Sequence, residues 1–330
     1  MCYLILTERD KISATPHSEE TTGHPLGASE VWTGSPAPEG FSRIFFLETG
    51  GYGQLSARVA CAVESAAKLH PHWAVHLLSA GGGDVSRANV TLSGPFAHML
   101  KSIPNVVASV IKPQEVFQDT PLEAWYESGI LDTSAFPVEH LADAMRLAVV
   151  YKLGGVYLDI DVIVMRPLDS LPPCVCQSPV ENGDMVSNAF LAFRRGDPFL
   201  LHLMRTVRSV YRPQEWSSIG PKLLRLVTLE RCGAQQVKEL LGRRCGGDDT
   251  GFTVLPHWMF LPVPFDRWEA FFVANASREA WLMSSASYVM HVYNKMSSKT
   301  PAVPGCAYRQ AAEAHCPDSL RMSLEKLGTF

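Results

Sequence analysis

The chain has 330 residues, enough for one large α/β domain or two smaller ones with a substantial core. Its hydrophobic content of 46% and charged content of 19% are ordinary for a soluble globular protein. A net charge of −4, without a run of lysines or arginines, argues against a nucleic-acid partner. The acidic balance still permits a phosphate-bearing ligand, because a bound metal ion can supply positive charge locally.

The N-terminal segment 1–42 predicts a flexible stem. Residues 7–40 are rich in Thr, Ser, Pro, Gly and Glu, a composition that buries too little apolar surface to fold. The run from Met1 to Leu6 is apolar but too short for a signal peptide or a membrane span. We therefore expect the folded part to begin at Arg43.

The eight cysteines include no C-x-x-C pair, which argues against a zinc ribbon or a thioredoxin-like site. Cys174 and Cys176 lie beside prolines in a predicted loop, and we interpret them as structural or incidental. Asn89 and Asn275 begin triplets that fit the N-glycosylation pattern, although such triplets are common by chance. Together these features favour the lumen of the secretory pathway, where disulfides persist.

The first part of the folded chain alternates between predicted strands and helices. Apolar runs predict strands at 43–48, 73–79 and 105–111, and helical patterns predict helices at 54–69 and 121–128. Such alternation favours a parallel sheet built from βαβ units, and ligands of these sheets bind beyond the carboxyl ends of the strands.

The stretch from His140 to Pro167 contains the strongest functional signal. Apolar residues three and four apart predict a helix that ends at Gly154, and 156–164 predicts one strand buried on both faces. Asp159 and Asp161 interrupt that strand, and residues two apart on a strand point to the same side.

Two converging carboxylates indicate a cation site, because like charges in an apolar setting repel each other and are poorly solvated. Oxygen ligands suit hard ions such as Mn²⁺ or Mg²⁺, which often bind substrate phosphates as well. The alternative is that Asp159 and Asp161 mark the exposed end of a strand, since so short a motif is often a false positive. The apolar flanks and the charged helix before them favour a metal–phosphate site.

The second half of the chain holds two further points of interest. The loop 213–221 contains Trp216, whose indole either packs as a lid or stacks on the face of a sugar. Alternation over 288–295 predicts a strand with His291, Tyr293 and Lys295 on one side. A histidine in such a strand is often a satisfied structural residue, and the pattern alone does not decide between that role and a ligand.

The segment LADAMRLAVVYKLGGVYLDIDVIV at 141–164 resembles the animal α-1,4-glycosyltransferases, D-x-D enzymes that use sugar nucleotides. Other segments resemble that family in the same order: IFFLET at 44–49, CAVESAAKLHP at 61–71, DTPLEAWY at 119–126, NAFLAF at 188–193, GPKLL at 220–224 and HVYNKMS at 291–297. The resemblance extends from Arg43 to Pro317. It implies an α/β fold of the GT-A type, which is Rossmann-like with a central, mostly parallel sheet.

The resemblance also implies a chemistry. The enzyme would be a retaining, metal-dependent transferase that moves Gal, GalNAc or GlcNAc from a UDP-sugar to a glycolipid or glycan acceptor in α-1,4 linkage. Region 43–170 would bind the sugar nucleotide, 171–330 would form the acceptor side of the same catalytic domain, and 171–184 predicts a linker between them. No residue stands out as a nucleophile, so double displacement and a front-face route both remain open.

The resemblance assigns roles to individual residues of this chain. Asp159 and Asp161 would be the catalytic pair, and with His291 they would hold Mn²⁺ or Mg²⁺. The donor would be bound by Asp143, Arg146, Tyr157, Asp159, Asn294 and Lys295, and the acceptor by Asn188 and Trp216. For the donor-binding helix, the alternative is an exposed ion pair between Asp143 and Arg146.

Family counterparts also imply a disulfide between Cys232 and Cys245. Cys316 has a counterpart as well, Cys306 has none, and a Cys306–Cys316 bridge is left open. Members of the family are anchored in the Golgi membrane by an N-terminal span, so we expect a Golgi location although this sequence shows no such span. Two rival functions remain: a catalytically silent Golgi homologue that binds UDP-sugar or glycan, and a phosphohydrolase, which predicts more clustered acidic and histidine ligands.

Overall fold

The computed structural model describes residues 41–50, 53–80, 92–179, 183–247, 250–274 and 277–330. The predicted stem lies outside these ranges except for its last two residues, and so do the sequons at Asn89 and Asn275.

The strands in these ranges are β1 (Arg43–Glu48), β2 (Ala74–Ala80), β3 (Val106–Ile111), β4 (Gly155–Leu158), β5 (Val162–Val164), β6 (Cys174–Gln177), β7 (Val186–Phe193), β8 (Arg244–Cys245), β9 (Phe252–Leu255) and β10 (Val289–His291). The helices are α1 (Ala57–Leu69), α2 (Gly94–Lys101), α3 (Pro113–Phe117), α4 (Glu123–Glu127), α5 (Pro137–Leu153), α6 (Pro198–Val210), α7 (Pro221–Cys232), α8 (Ser277–Ser284), α9 (Asn294–Ser297), α10 (Ala307–His315) and α11 (Pro317–Leu327). Short 3-10 helices lie at Ile130–Thr133, Val237–Leu240, His257–Met259 and Phe265–Phe271.

The central sheet, as far as the chain is described, contains eight strands in the order β3-β2-β1-β4-β7-β6-β9-β8. Strands β3, β2, β1 and β4 are parallel to one another, whereas β7 runs antiparallel to both β4 and β6. The remaining pairs are β6 with β9, which is parallel, and β8 with β9, which is antiparallel. The predicted α/β class and its mostly parallel central sheet are confirmed.

Helices cover both faces of this sheet. On β1, Ile44 and Phe46 belong to one apolar cluster, together with residues of α1 and α10, while Phe45 and Leu47 belong to the other, with residues of α5 and α6. This alternation follows from the two-residue period of a strand. Because β1 and β4 are parallel neighbours, their carboxyl ends lie at the same edge of the sheet.

The linker predicted for 171–184 is wrong in its central part. Cys174 and Cys176 lie buried in β6, which sits between β7 and β9 inside the sheet. A short Cys-Val-Cys run is apolar enough for a buried strand, but the prolines next to it favoured the prediction of a loop. The sheet therefore continues across residue 170, and the division into donor and acceptor regions remains a prediction.

Two disulfides join cysteines of the described chain. The Cys232–Cys245 bond confirms the predicted pair, and the Cys61–Cys316 bond ties α1 to the start of α11. A Cys306–Cys316 bridge is therefore wrong: Cys306 is a buried free thiol that caps α10. The pairing of Cys61 with Cys316 was not predicted, because connectivity cannot be deduced from spacing alone.

A search of the described helices for membrane spans found none that combines sufficient length with sufficient apolar character.

Candidate active site

The two aspartates lie in a turn between two strands, and the prediction of a single strand over 156–164 is wrong. Strand β4 ends at Leu158, and β5 begins at Val162 and leaves the main sheet to pair with β10. The backbone N–H of Asp159 donates to Ala189 O at 3.0 Å, which fixes the start of the turn on β7. The carboxylates still converge, but they do so because the chain turns there.

His291 reaches the same turn from β10. In the antiparallel pair His291 lies opposite Val162, next to Asp161. Its Nε2 atom is 3.2 Å from Asp161 Oδ1 and 3.5 Å from Asp159 Oδ2. One ligand atom from each of the three residues fits within 4.8 Å of the others. We call Asp159, Asp161 and His291 the D-x-D centre.

The electrostatics of this centre favour positive charge. Burial alone would lower the pKa of His291, but the carboxylates of Asp161 and Asp159 outweigh it and raise that pKa to about 10. Burial would raise the pKa of Asp159, yet Arg146 and His291 lower it to about 2. Two carboxylates and an imidazole therefore converge where a cation is strongly stabilised, and this ligand set fits a divalent ion.

Arg146 is the cation that the protein itself supplies to this network. From α5 it donates to Asp159 Oδ1 at 3.1 Å and to Asn188 O at 2.7 Å, and it pairs with Asp143 Oδ1 at 3.0 Å. Its guanidinium also lies 4.7 Å from the centre of the Tyr157 ring, and the Tyr157 hydroxyl donates to Asp159 Oδ1 at 2.6 Å. Asp159 is thus held by two donors on one oxygen.

The alternative of an exposed Asp143–Arg146 pair is wrong, because the two residues are only 7% and 6% exposed. Asp143 Oδ1 also accepts from Asn188 Nδ2 at 2.6 Å. Burial raises the pKa of Asp143 to about 6, against the opposing charge of Arg146. A buried, desolvated carboxylate beside the D-x-D centre is typical of a functional group.

Gly220 closes this part of the site from the other side. A Cβ atom at Gly220 would lie 2.6 Å from Asn188 Nδ2 and 2.7 Å from Asp143 Oδ2. No side chain fits there without displacing the two polar groups. The sequence offers a signal for this residue, since Gly220 begins the family-like segment GPKLL, but the segment alone indicates no role for the glycine.

The strand predicted for 288–295 ends earlier than expected. Strand β10 stops at His291, Tyr293 takes the left-handed conformation with φ 55°, and the short helix α9 begins at Asn294. Lys295 therefore does not share a strand face with His291. The turn brings Asn294 onto the D-x-D centre instead, where its backbone N–H donates to Asp161 Oδ2 at 2.7 Å.

Lys295 is largely exposed in the first turn of α9. Its Nζ atom donates to Glu139 Oε1 at 2.7 Å and lies 5.0 Å from the ring centre of Trp216 and 5.4 Å from that of Phe136. Trp216 is 48% exposed, as predicted for a loop tryptophan. We call Phe136, Glu139, Trp216 and Lys295 the rim.

Sequence reasoning missed other residues of this neighbourhood. Phe136 and Glu139 become part of the rim only because α5 begins opposite α9, which no local pattern reveals. Arg58 on α1 donates to the side chain of Asn294 at 3.1 Å, and its partners are more than two hundred residues away in sequence. Of these three residues none carried a recognisable motif.

Two family models match the chain. One is described as "Alpha 1,4-glycosyltransferase conserved region" and matches residues 192–323. The other is described as "Glycosyltransferase sugar-binding region containing DXD motif" and matches residues 56–176, which include Asp159 and Asp161.

Curated relatives match over most of their length. Lactosylceramide 4-alpha-galactosyltransferase of Rattus norvegicus is 34% identical over 84% of this chain and 75% of its own. Alpha-1,4-N-acetylglucosaminyltransferase of Homo sapiens is 27% identical over 84% of this chain and 79% of its own. Among solved structures, galactosyltransferase LgtC in complex with donor and acceptor sugar analogs is 15% identical, covering 86% of this chain and all of its own, with a TM-score of 0.38.

Proposed function

The chain belongs to the α-1,4-glycosyltransferase family, and we propose that it is a retaining enzyme that transfers a hexose from a UDP-sugar to a glycan acceptor in α-1,4 linkage. The observation that carries this proposal is the D-x-D centre, where Asp159, Asp161 and His291 converge at the end of β4. Ligands of sheets of this kind bind at that edge.

The D-x-D centre would hold a divalent cation, and an imidazole nitrogen among the ligands favours a transition ion such as Mn²⁺ over Mg²⁺. When bound, such an ion stabilises as a Lewis acid the negative charge that a leaving diphosphate acquires. Asn294 orients Asp161 through its backbone N–H, and Tyr157 with Arg146 orients Asp159.

Three polar residues around the centre are proposed to bind the donor directly. Lys295 would exchange Glu139 for a diphosphate oxygen, because its exposed side chain stands on a four-residue helix beside the centre. Asp143 and Arg146 would hold hydroxyl groups of the donor sugar from the floor of the site. Gly220 packs so closely against Asn188 and Asp143 that no side chain fits at that position.

The acceptor is proposed to approach along the rim. The exposed indole of Trp216 offers a flat apolar surface for the face of a sugar ring, and Asn188 would contribute from beside Asp143. Because one relative is a lactosylceramide 4-alpha-galactosyltransferase, we propose a glycolipid or another glycan as the acceptor. A Golgi location agrees with the two disulfides, which persist in an oxidising lumen.

We favour a front-face route. The bond between the anomeric carbon and the phosphate oxygen breaks, the acceptor hydroxyl bonds to the same face, and its proton passes to the leaving diphosphate. Asp143 and Asp159 each accept hydrogen bonds from two neighbouring donors, which lowers their reactivity as nucleophiles for double displacement.

The test is UDP release by the purified protein with UDP-Gal, UDP-GalNAc or UDP-GlcNAc, and with lactosyl- or GalNAc-terminated acceptors. We expect Mn²⁺-dependent turnover of one donor that EDTA abolishes. Asp161→Asn should abolish it as well, whereas Asp169→Asn, at an exposed aspartate outside the site, should not. UDP binding without turnover would instead identify a silent homologue, and no UDP binding would overturn the donor site.

A further inference from the structure

Arg58 is a buried arginine in the first turn of α1, and it belongs neither to the D-x-D centre nor to the rim. Its Nη1 atom donates to Asn294 Oδ1 at 3.1 Å, to Ser297 O at 2.9 Å and to Ser297 Oγ at 3.0 Å. Its Nη2 atom donates to Thr300 O at 2.5 Å. One guanidinium therefore fixes α9 and the residues after it.

This arrangement is costly for the protein. All four acceptors are neutral oxygens, and burial lowers the pKa of Arg58, a shift that the nearby Tyr308 and the charge of Asp161 oppose. A positive charge in the first turn of a helix is also unfavourable, because the helix dipole is positive there. The guanidinium is held in place between the rings of Phe272 and Tyr308, 4.9 and 5.2 Å from their centres.

The segment that Arg58 fixes is the one that holds Asp161. Within α9 the backbone N–H of Asn294 donates to Asp161 Oδ2, and the side chain of the same residue accepts from Arg58. Ser297 Oγ, another acceptor of Arg58, donates back to Val292 O at 2.7 Å, next to His291. A shift of α9 would therefore move the donor that orients Asp161 and leave His291 without its supporting turn.

We propose that Arg58 is a positioning residue for the divalent cation: through Asn294 it fixes the orientation of Asp161, and through Ser297 that of the turn beside His291. The proposal rests on the proposed function, because it requires that the D-x-D centre binds a cation. Groups that orient metal ligands typically change metal affinity by about 10- to 100-fold when removed.

The experiment is calorimetric titration of Mn²⁺ into the purified, folded protein. Arg58→Lys keeps the positive charge but loses the planar fork that reaches four oxygens, and we expect it to weaken Mn²⁺ binding by about 10- to 100-fold. Asn294→Ala, which removes one contact of Arg58 and keeps the backbone N–H, should weaken binding in the same direction. Arg225→Lys is the matched control: Arg225 ties α7 to Asp184 and should affect only the melting temperature.

The outcomes separate the possible explanations. If Arg58 is merely structural, Arg58→Lys and Asn294→Ala lower the melting temperature but leave the Mn²⁺ dissociation constant within about twofold of the wild type, and the proposal is overturned. If only the charge matters, Arg58→Lys has no effect while Arg58→Met binds Mn²⁺ more tightly, which also overturns it. Absence of Mn²⁺ binding by the wild type would instead overturn the metal centre of the proposed function, and with it this inference.

Discussion

The D-x-D centre and the rim are neighbours that are built differently. In the centre Asp159 accepts two hydrogen bonds on one oxygen, and the cation beside it, Arg146, is buried. At the rim Lys295 and Glu139 form one ion pair that is largely exposed to solvent. The centre is rigidly determined by its partners, whereas the rim can exchange its partners at low cost.

The energetic scales of the two regions differ accordingly. Removing one partner of a buried charge network leaves an uncompensated charge and costs about 3–5 kcal/mol. Exposed ion pairs contribute about 0–1 kcal/mol. We therefore expect substitutions in the centre to change both stability and catalysis, and substitutions at the rim to change substrate binding alone.

The largest effect is expected for Arg146→Met. It leaves the buried Asp143 and the partly exposed Asp159 without their arginine, and we expect the free energy of unfolding to fall by about 3–5 kcal/mol, as measured by urea denaturation. Arg321→Met, which removes an exposed pair with Asp318, should cost less than about 1 kcal/mol. Equal losses in the two variants would contradict the distinction between centre and surface.

Gly220→Ala tests how tightly the residues beside the D-x-D centre are packed. The added methyl group must displace Asn188 or Asp143, and such overpacking typically costs about 1–3 kcal/mol of unfolding free energy. Donor turnover should fall while Mn²⁺ affinity is retained, because neither displaced residue belongs to the D-x-D centre. Gly247→Ala, where the methyl group meets open space, is the control. A fully active Gly220→Ala enzyme would contradict the tight fit.

A second buried histidine separates the effect of burial from the effect of charge. Burial, reinforced by Arg43, lowers the pKa of His76 to about 4, whereas the carboxylates around His291 raise the pKa of that residue. Below pH 6.5 His76 becomes protonated in the unfolded chain but stays neutral in the folded protein. This histidine therefore lowers the free energy of unfolding as the pH falls. Between pH 6.5 and 5 the loss is about 2 kcal/mol. His76→Leu should remove that part of the pH dependence of urea denaturation, and an unchanged dependence would contradict the assignment.

Trp216→Ala should affect only the acceptor. The loss of one stacking surface corresponds to about 0.5–1.5 kcal/mol, which is a rise of about 2- to 12-fold in the acceptor KM. The donor KM should not change. Trp258→Ala is the matched control, since Trp258 is 47% exposed and lies in the 3-10 helix at 257–259. A rise in the donor KM, or an equal effect at Trp258, would argue against a specific acceptor surface.

The smallest effect on stability is expected for Glu139→Gln. An exposed pair contributes less than about 0.5 kcal/mol, so the unfolding free energy should hardly change. The donor KM should fall slightly, because Lys295 no longer has to leave a carboxylate before it binds the diphosphate. A rise in the donor KM would show that Glu139 helps Lys295 to bind the donor.

Much of the centre could be predicted from sequence because its chemistry resides in residue types. The carboxylates of Asp159 and Asp161 stand out in apolar surroundings, and the D-x-D spacing marked both. The pattern alone did not decide the role of His291, which only the family resemblance made a candidate ligand. The turn between β4 and β5 could not be predicted, since the residues on both sides of it are apolar and typical of strands. Tyr293 takes the left-handed conformation although tyrosine is not a residue type that favours it, so the sequence gives no local signal for this turn.

Contacts between distant segments escaped prediction for a different reason. Arg58 and Asn294 are separated by 236 residues, and Cys61 and Cys316 by 255. Neither pair has a periodic or local pattern, because their contact is created by the packing of α1 beside β5 and the C-terminal helices. In contrast, helix α6 carries local signals, because its apolar stripe and its starting proline lie within the helix itself.

The most direct test of the D-x-D centre is pulsed electron paramagnetic resonance of Mn²⁺ bound to the protein with UDP. The account predicts a nitrogen coupling from one histidine, which His291→Gln should abolish and His76→Leu should leave unchanged. Bound Mn²⁺ without a histidine nitrogen, or with a coupling that persists in His291→Gln, would contradict the centre as described.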